Sequence, residues 1–392
     1  MKPRASILTF GTLAAALLLT AAAAVIAPAQ AVADDAGRVE RVRALYDAAK
    51  SRETAGDWAG AERAWDEVVS LAPGDARAWV NLGVARGHQG RRAEAIEAWN
   101  RAAALDPKLA GAHFNLGLAL VRGGEAEAAV APLRRALALE PENEAARRAL
   151  AVALAGAERF REASRELAQL LARAPRDPAL LELAARAFMA QKRHAEAVTV
   201  LRRLLDLGVG TAELWAMYGD ALDNVRRTPE AADAYEQAVK LDPDSNRRRY
   251  ALGYLYWQLY RYDEAEPVLR EVLRRDPADA RAAFTLGDLY LTRGQAQRAL
   301  PLLEQAARAY PEEFDTRFTL GRALMRAGEV ARAVAELGAA VKLRDEVSEG
   351  HYQLGRALAL AGRRDEARRE FDRARVLKDQ KREAEEPKKS RQ

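Results

Sequence analysis

A single interval, thirty-four positions long, recurs along this chain. The pair Leu82-Gly83 is echoed by Leu116-Gly117, Tyr218-Gly219, Leu252-Gly253, Leu286-Gly287, Leu320-Gly321 and Leu354-Gly355, at that interval or three times that interval. Pro73, Pro107, Pro141 and Pro175 keep the same step, and so do Pro243, Pro277 and Pro311. An alanine series, Ala61, Ala95, Ala129, Ala163, Ala197, Ala231, Ala265, Ala299, Ala333 and Ala367, keeps it without a break. Ten such units fill 42–381 with no insertion. A period of this length marks a stacked array in which no unit buries its apolar face alone.

The physics of one unit is legible in residues 76–109. Trp79, Leu82, Gly83 and Arg86 are spaced i, i+3, i+4, i+7, along one face of a helix. Ala95, Trp99, Ala102 and Ala103 repeat the spacing on a second helix, after a polar turn around Gly90. Pro107 stops the second helix, since it lacks an N–H and clashes with the preceding turn. Asp106 and similar Asp or Asn residues near the prolines are expected to cap the helix that follows. Small residues at Gly83 and Ala95 let the two helices approach, while Trp79, Leu82 and Trp99 fill the space around the contact. The expectation is an all-α chain. Ala, Leu and Arg, strong helix formers, dominate the composition, and period-2 runs of Val, Ile and Thr are scarce.

This pattern resembles the tetratricopeptide repeat family, whose signature is W-x2-L-G-x2-Y, then A-x3-F, then P. Trp79, Leu82, Gly83, Ala95, Trp99 and Pro107 carry it, as do Trp215, Tyr218, Gly219, Ala231, Tyr235 and Pro243. Leu286, Gly287, Tyr290, Ala299 and Pro311 carry it with Leu303 in place of the last aromatic. The resemblance covers 340 of 392 residues. It implies a right-handed superhelical solenoid of helix–turn–helix repeats, with Gly83, Gly117, Gly219, Gly253, Gly287, Gly321 and Gly355 as structural repeat positions. It also implies a protein-binding scaffold whose concave face is lined by the first helix of each unit. Departures are local. Ala49, Ala151 and Ala185 replace the glycine, and the fifth unit ends in Gly208-Val209-Gly210 without its proline, which marks a soft joint near 208–211. The last helix, near 363–381, is crowded with charge and reads as a solvated cap, and 382–392 reads as a disordered charged tail.

The N-terminus reads as an address. Lys2 and Arg4 precede a nearly all-apolar stretch from Ala5 to Ile26, followed by Ala29-Gln30-Ala31 and a polar start. Residues 1–31 are expected to be a secretory signal peptide and 32–41 a lead-in to the first repeat helix. The apolar stretch is also long enough for a retained membrane anchor, the alternative reading. The expected location is exported, periplasmic or secreted.

Chemistry is hard to find. There are no cysteines, which removes disulfides, thiolate nucleophiles and Cys-bound metals. His88, His113, His194 and His351 show no paired-ligand spacing, and His113 and His351 occupy the place of Trp79 and Trp215, as packing variants. The 62 basic residues are interspersed with 57 acidic ones, for a net charge of +5, without the one-sign patch of a nucleic-acid binder. Signal, lead-in, repeats and tail account for all the residues given, with none left for a catalytic domain. The expectation is no enzyme, no cofactor and no metal.

A partner would meet first-helix residues that the core does not use. The fifth place of the unit gives an aromatic row, Tyr250, Phe284, Phe318 and Tyr352, with Tyr254 and Trp257 beside it, then Arg322 and Arg356. The sixth place supplies Asn81, Asn115, Thr285, Thr319 and Gln353, able to hydrogen-bond an extended backbone. The N-terminal half offers Val80, Val84, Phe114 and Leu118 and fewer cations. Aromatic and Arg side chains are what binding surfaces favour, although aromatics here also pack against the next unit. The expected function is a non-catalytic scaffold of the cell envelope that grips an extended segment of a partner protein. The alternatives are a module for a carbohydrate polymer or its export machinery and, from another class, an enzyme.

Overall fold

The computed structural model describes residues 35–385, all of whose regular structure is helical. The signal segment 1–31, the first lead-in residues 32–34 and the tail residues 386–392 lie outside the described residues. Among those described, α1 (35–54) and α2 (Trp58–Leu71) form the first repeat, and each later repeat contributes two more helices, down to α19 (Ser348–Leu360) and α20 (Arg364–Glu385). The last helix therefore runs through 382–385, the beginning of the segment read as tail. The chain divides into two compact bodies, one ending at Gln191 and one starting at Lys192. In the N-terminal body α3 (Ala76–His88) packs on α4 (Arg92–Leu105), and α5 (Ala110–Arg122) on α6 (Ala126–Leu139). In the C-terminal body α11 (Ala212–Asn224) packs on α12 (Thr228–Leu241), and the pattern continues as α13 (Asn246–Gln258) on α14 (Tyr262–Arg275), α15 (Ala280–Thr292) on α16 (Ala296–Ala309), and α17 (Phe314–Ala327) on α18 (Val330–Leu343).

The glycines of the Leu-Gly series have a specific neighbour. A Cβ on Gly83 would lie 2.4 Å from the Trp99 indole nitrogen, and on Gly117, Gly219 and Gly355 it would meet Leu133, Tyr235 and Phe371 at 2.5, 2.6 and 2.8 Å. The eighth place thus seats the side chain of the twenty-fourth. The alanine series lies beside this contact: nine of its ten members have 0% exposed surface and Ala367 has 3%. Larger residues at either place would force the pair apart, the overpacking that close-packed interiors do not absorb.

Two local devices recur that the sequence reading did not specify. The fifteenth residue of every repeat has a left-handed backbone. It is glycine at 56, 90, 124, 294, 328 and 362, and Glu158, Lys192, Arg226 and Tyr260 in repeats four to seven. For residues with a Cβ that conformation costs about 1–2 kcal/mol. In six repeats the fourth place carries a side-chain nitrogen aimed at the carbonyl six residues back, at the inter-repeat turn. Trp79 Nε1 donates to Pro73 O at 3.0 Å, Arg147 Nη2 to Pro141 O at 2.7 Å and Arg317 Nε to Pro311 O at 2.5 Å; Arg249 reaches Pro243 likewise. His113 Nε2 and His351 Nε2 lie 3.1 and 2.9 Å from the equivalent carbonyls of Pro107 and Asp345. Trp, His and Arg alternate at this place because each supplies an N–H at the right reach.

Capping differs from the expectation placed on Asp106. Its carboxylate accepts from the backbone of Lys108 at 2.9 Å inside the turn, and the N-cap lies three residues later in the register. At that place Asp75, Asn143, Asp177, Thr211, Ser245 and Asp279 accept from backbone N–H groups in the first turn of the next helix, whereas Leu109 supplies no side-chain cap. The N-cap must precede the helix by one residue, and the proline turn occupies the intervening positions. Near 208–211, α10 (His194–Asp206) ends at Leu207, Gly208 takes φ +81°, and α11 starts after its Thr211 cap.

Candidate binding groove

The first helices of repeats seven to ten place the predicted row. On α13, Tyr250, Tyr254 and Trp257 are spaced i, i+4, i+7 and stack along one face, with ring centroids 6.1 and 5.5 Å apart. The Arg281 guanidinium sits 4.8 Å from the Tyr250 ring, and burial pushes the Tyr250 phenol up. On α17, Phe318 stacks on buried Phe314 at 5.2 Å, and Arg322 lies 5.6 Å from the Phe318 ring. Phe284 on α15 is half-buried. Tyr352 on α19 is 46% exposed and packs 5.7 Å from Phe371. Arg356 is exposed and donates to Gln353 Oε1 at 3.1 Å.

The sixth-place residues of this body do not face a ligand. Thr285, Thr319 and Gln353 are 2%, 5% and 8% exposed. Thr285 Oγ1 donates to the Arg281 carbonyl at 2.9 Å, and Gln353 Nε2 to Glu349 Oε1 at 2.6 Å. On a helix the sixth place is turned about 100° from the fifth, which here carries it toward the neighbouring helix. Asn81 accepts from Lys50 Nζ at 3.2 Å.

Trp257 and Arg322 meet at an open pocket of about 570 Å³, where Arg226, Tyr260, Tyr262 and Asp288 join them. Trp257 Nε1 donates to Asp288 Oδ2 at 3.1 Å. Burial raises the Asp288 carboxyl above its ordinary range, and the Trp257 bond and the Arg322 charge pull it part of the way back. Tyr260 is 78% exposed at the rim, in the left-handed conformation, with its ring edge-on to Tyr262 at 6.0 Å. Arg226, one repeat earlier, holds the same backbone conformation. Among the described residues, in a surface laced with ion pairs, neither Arg226 nor Arg322 has one. The left-handed conformation belongs to the turn of every repeat, and what sets Tyr260 apart is an exposed ring at that place.

Sequence reasoning missed Asp288, Tyr260, Tyr262 and Arg226. Asp288 stands at the ninth place between Tyr254 and Arg322, so its register was a usable signal. Arg226 and Tyr260 replace glycine at the fifteenth place, and that loss was the signal for both. Tyr262 gave none. His351 is buried with its Nδ1 2.6 Å from Glu370 Oε2, while His88 is exposed and stacks on Trp58 at 3.7 Å.

Two family models, both described as tetratricopeptide repeat, match this chain. One covers 46–110, 85–144, 216–280 and 250–314, and the other 120–187 and 290–351. The chain belongs to the tetratricopeptide repeat family. Its repeats are protein–protein interaction modules, and the fold is that family's array of helix pairs. Among solved structures, MamA 41-end from Desulfovibrio magneticus RS-1 is 22% identical over 43% of this chain and 96% of its own, with a TM-score of 0.41. MamA MSR-1 C2 is 25% identical over 43% and 98%, at 0.40, and MamA AMB-1 C2221 is 27% identical over 42% and 96%, at 0.39. No curated protein matches the chain.

Proposed function

We propose that this tetratricopeptide repeat protein is an exported, non-catalytic scaffold of the cell envelope, and that its C-terminal first helices grip an extended segment of a partner protein. The observation that carries this reading is the pocket where Trp257, Tyr260 and Asp288 converge with two guanidiniums that have no ion-pair partner among the described residues. Such a site suits a segment that alternates apolar side chains with carboxylates. Its aromatic floor supplies contact area, and Arg226 and Arg322 gain a charge-assisted bond each. A carbohydrate polymer fits less well, because Tyr254 has a ring stacked on either side and so offers little open face to a sugar. Export rests on the basic start, the apolar stretch and Ala29-Gln30-Ala31. The N-terminal mass of the native protein checks it: a start near Val32 or Asp34 supports a cleaved signal, and an intact Met1–Ala31 in the membrane fraction replaces export with anchoring.

The deciding experiment captures the partner by crosslinking in the native envelope and then measures its affinity for variants. Replacing Trp257, Phe284, Phe318 and Arg322 by alanine should weaken binding by a few kcal/mol in total, about 1–2 kcal/mol for each anchor. Replacing the second-helix charges Arg270, Glu271 and Arg274 should leave it unchanged. Release by the second set and not the first would overturn the groove reading.

A further inference from the structure

The N-terminal body holds a second concavity, of about 320 Å³, between α3, α4 and α5. Its floor is apolar, with Val84, Leu118 and the Trp99 indole, and its rim carries Asn115, Arg92, Arg122 and His88, whose ring is stacked on Trp58. No carboxylate lines it. Arg92 is held there by an ion pair with Glu125 outside the lining, and by the absence of a side chain on Gly123: a Cβ at that position would sit 1.8 Å from Arg92 Nη1. Gly123 has φ −85°, so its backbone would accept alanine, and what it supplies is room for the guanidinium. Among the described residues Arg122 has no ion pair and the Asn115 amide no hydrogen bond. A volume of this size admits one bulky apolar side chain and its neighbours. An Asn amide and a guanidinium left open above it match a backbone amide and a carboxylate.

We infer that this pocket is a second docking site, separate from the C-terminal groove, and that its occupant is a partner segment in which a bulky apolar residue is followed by an acidic one. The apolar side chain enters between Val84, Leu118 and Trp99, and the carboxylate meets Arg122 and Arg92 at the rim. Arg122 is exposed and Asn115 half-buried, so neither has to break an existing bond to engage.

The test titrates the full chain calorimetrically with capped glycine–serine nonapeptides that differ in two central residues: Leu-Glu, Leu-Gln, Leu-Lys and Ser-Glu. Leu-Glu should bind tightest, and each of the other three about tenfold more weakly, a difference of about 1.4 kcal/mol. Arg122→Glu should reverse the order of Leu-Glu and Leu-Lys. Gly123→Ala, which displaces Arg92 without removing it, should weaken Leu-Glu and spare Leu-Gln. Thermal unfolding of both variants should match the parent, since Arg122 is exposed and a methyl at Gly123 meets only the flexible end of Arg92. The combined variant Trp257→Ala/Arg322→Ala, which disables the C-terminal groove, should keep the ranking. Equal binding of all four peptides, an order unmoved by Arg122→Glu, or a ranking abolished by the C-terminal variant would each overturn the inference. The last result would assign the peptides to the groove instead.

Discussion

At the ninth place of the repeat, the N-terminal body carries Val84 and Leu118, while the C-terminal body carries Tyr254, Asp288 and Arg322. One residue earlier, all five repeats carry glycine. The eighth place is pressed against a second-helix side chain and has no room to vary. The ninth is turned about 100° away, and there a change of residue leaves the helix pair intact. One skeleton therefore supports an apolar pocket with a cationic rim in one body, and an aromatic–cationic pocket around a half-buried carboxyl in the other. Fold and recognition are written at different places of the same repeat unit.

The sharpest way to break this division is to substitute the eighth place in both bodies. At Gly83 a new Cβ meets a rigid indole, itself held by a Trp99 Nε1 bond to the Val80 carbonyl at 3.1 Å. At Gly253 it meets the buried branch of Leu269 at 2.9 Å, a less severe overlap than the 2.4 Å at Gly83. Gly83→Ala should cost about 3 kcal/mol and Gly253→Ala about 1 kcal/mol, the two ends of the overpacking range. Hydrogen exchange should place the lost protection near 42–143 for the first and near 212–313 for the second, since repeats couple mainly to neighbours. Equal losses, or losses spread along a whole body, would contradict that picture.

A second comparison sets the ninth and twelfth places of the two bodies against the C-terminal partner. Trp257→Ala and Arg322→Ala should each weaken its binding by about 1–2 kcal/mol, with helical circular dichroism unchanged. Leu118→Ser should leave it untouched. If the Trp257 change lowers thermal stability as much as it lowers affinity, the indole is a packing residue and its bond to Asp288 is structural.

The turns offer a smaller effect. Glu158→Gly and Tyr260→Gly both relieve a left-handed residue and should raise stability by about 1 kcal/mol in urea unfolding. Only Tyr260→Gly should also weaken partner binding. The smallest effect concerns Asp288. Its folded carboxyl titrates above the unfolded one, so the folded state keeps its proton to higher pH. The stability this brings is complete below the unfolded value, about 3.9, and is lost as pH rises through the raised folded value. Asp288→Asn should flatten that fall and give a slightly more stable protein at neutral pH, while the amide oxygen still accepts from Trp257.

The array itself was legible because its signals are periodic. Leu-Gly, Ala and Pro each recur at one shared interval, and the contact between the glycine and the second-helix side chain lies within one helix pair, where spacing alone fixes the partner. The row from Tyr250 to Tyr352 was legible as a register. Which of its members face outward was not, since Thr285 and Thr319 differ from Phe284 and Phe318 by one helical step and end up buried. The pocket was illegible for a related reason. Arg226, Trp257, Asp288 and Arg322 come from four repeats and from three different places within them, so no single period brings all of them together. The Asp106 capping error was a matter of three residues, the length of the proline turn.

The division between skeleton and recognition places is tested most directly by hydrogen exchange of the full chain with and without its captured partner segment. Bound partner should slow exchange in the first helices α13, α15 and α17, around Trp257, Asp288 and Arg322, and leave α14, α16 and α18 as they were. Protection confined to those second helices, with the first helices unchanged, would contradict it.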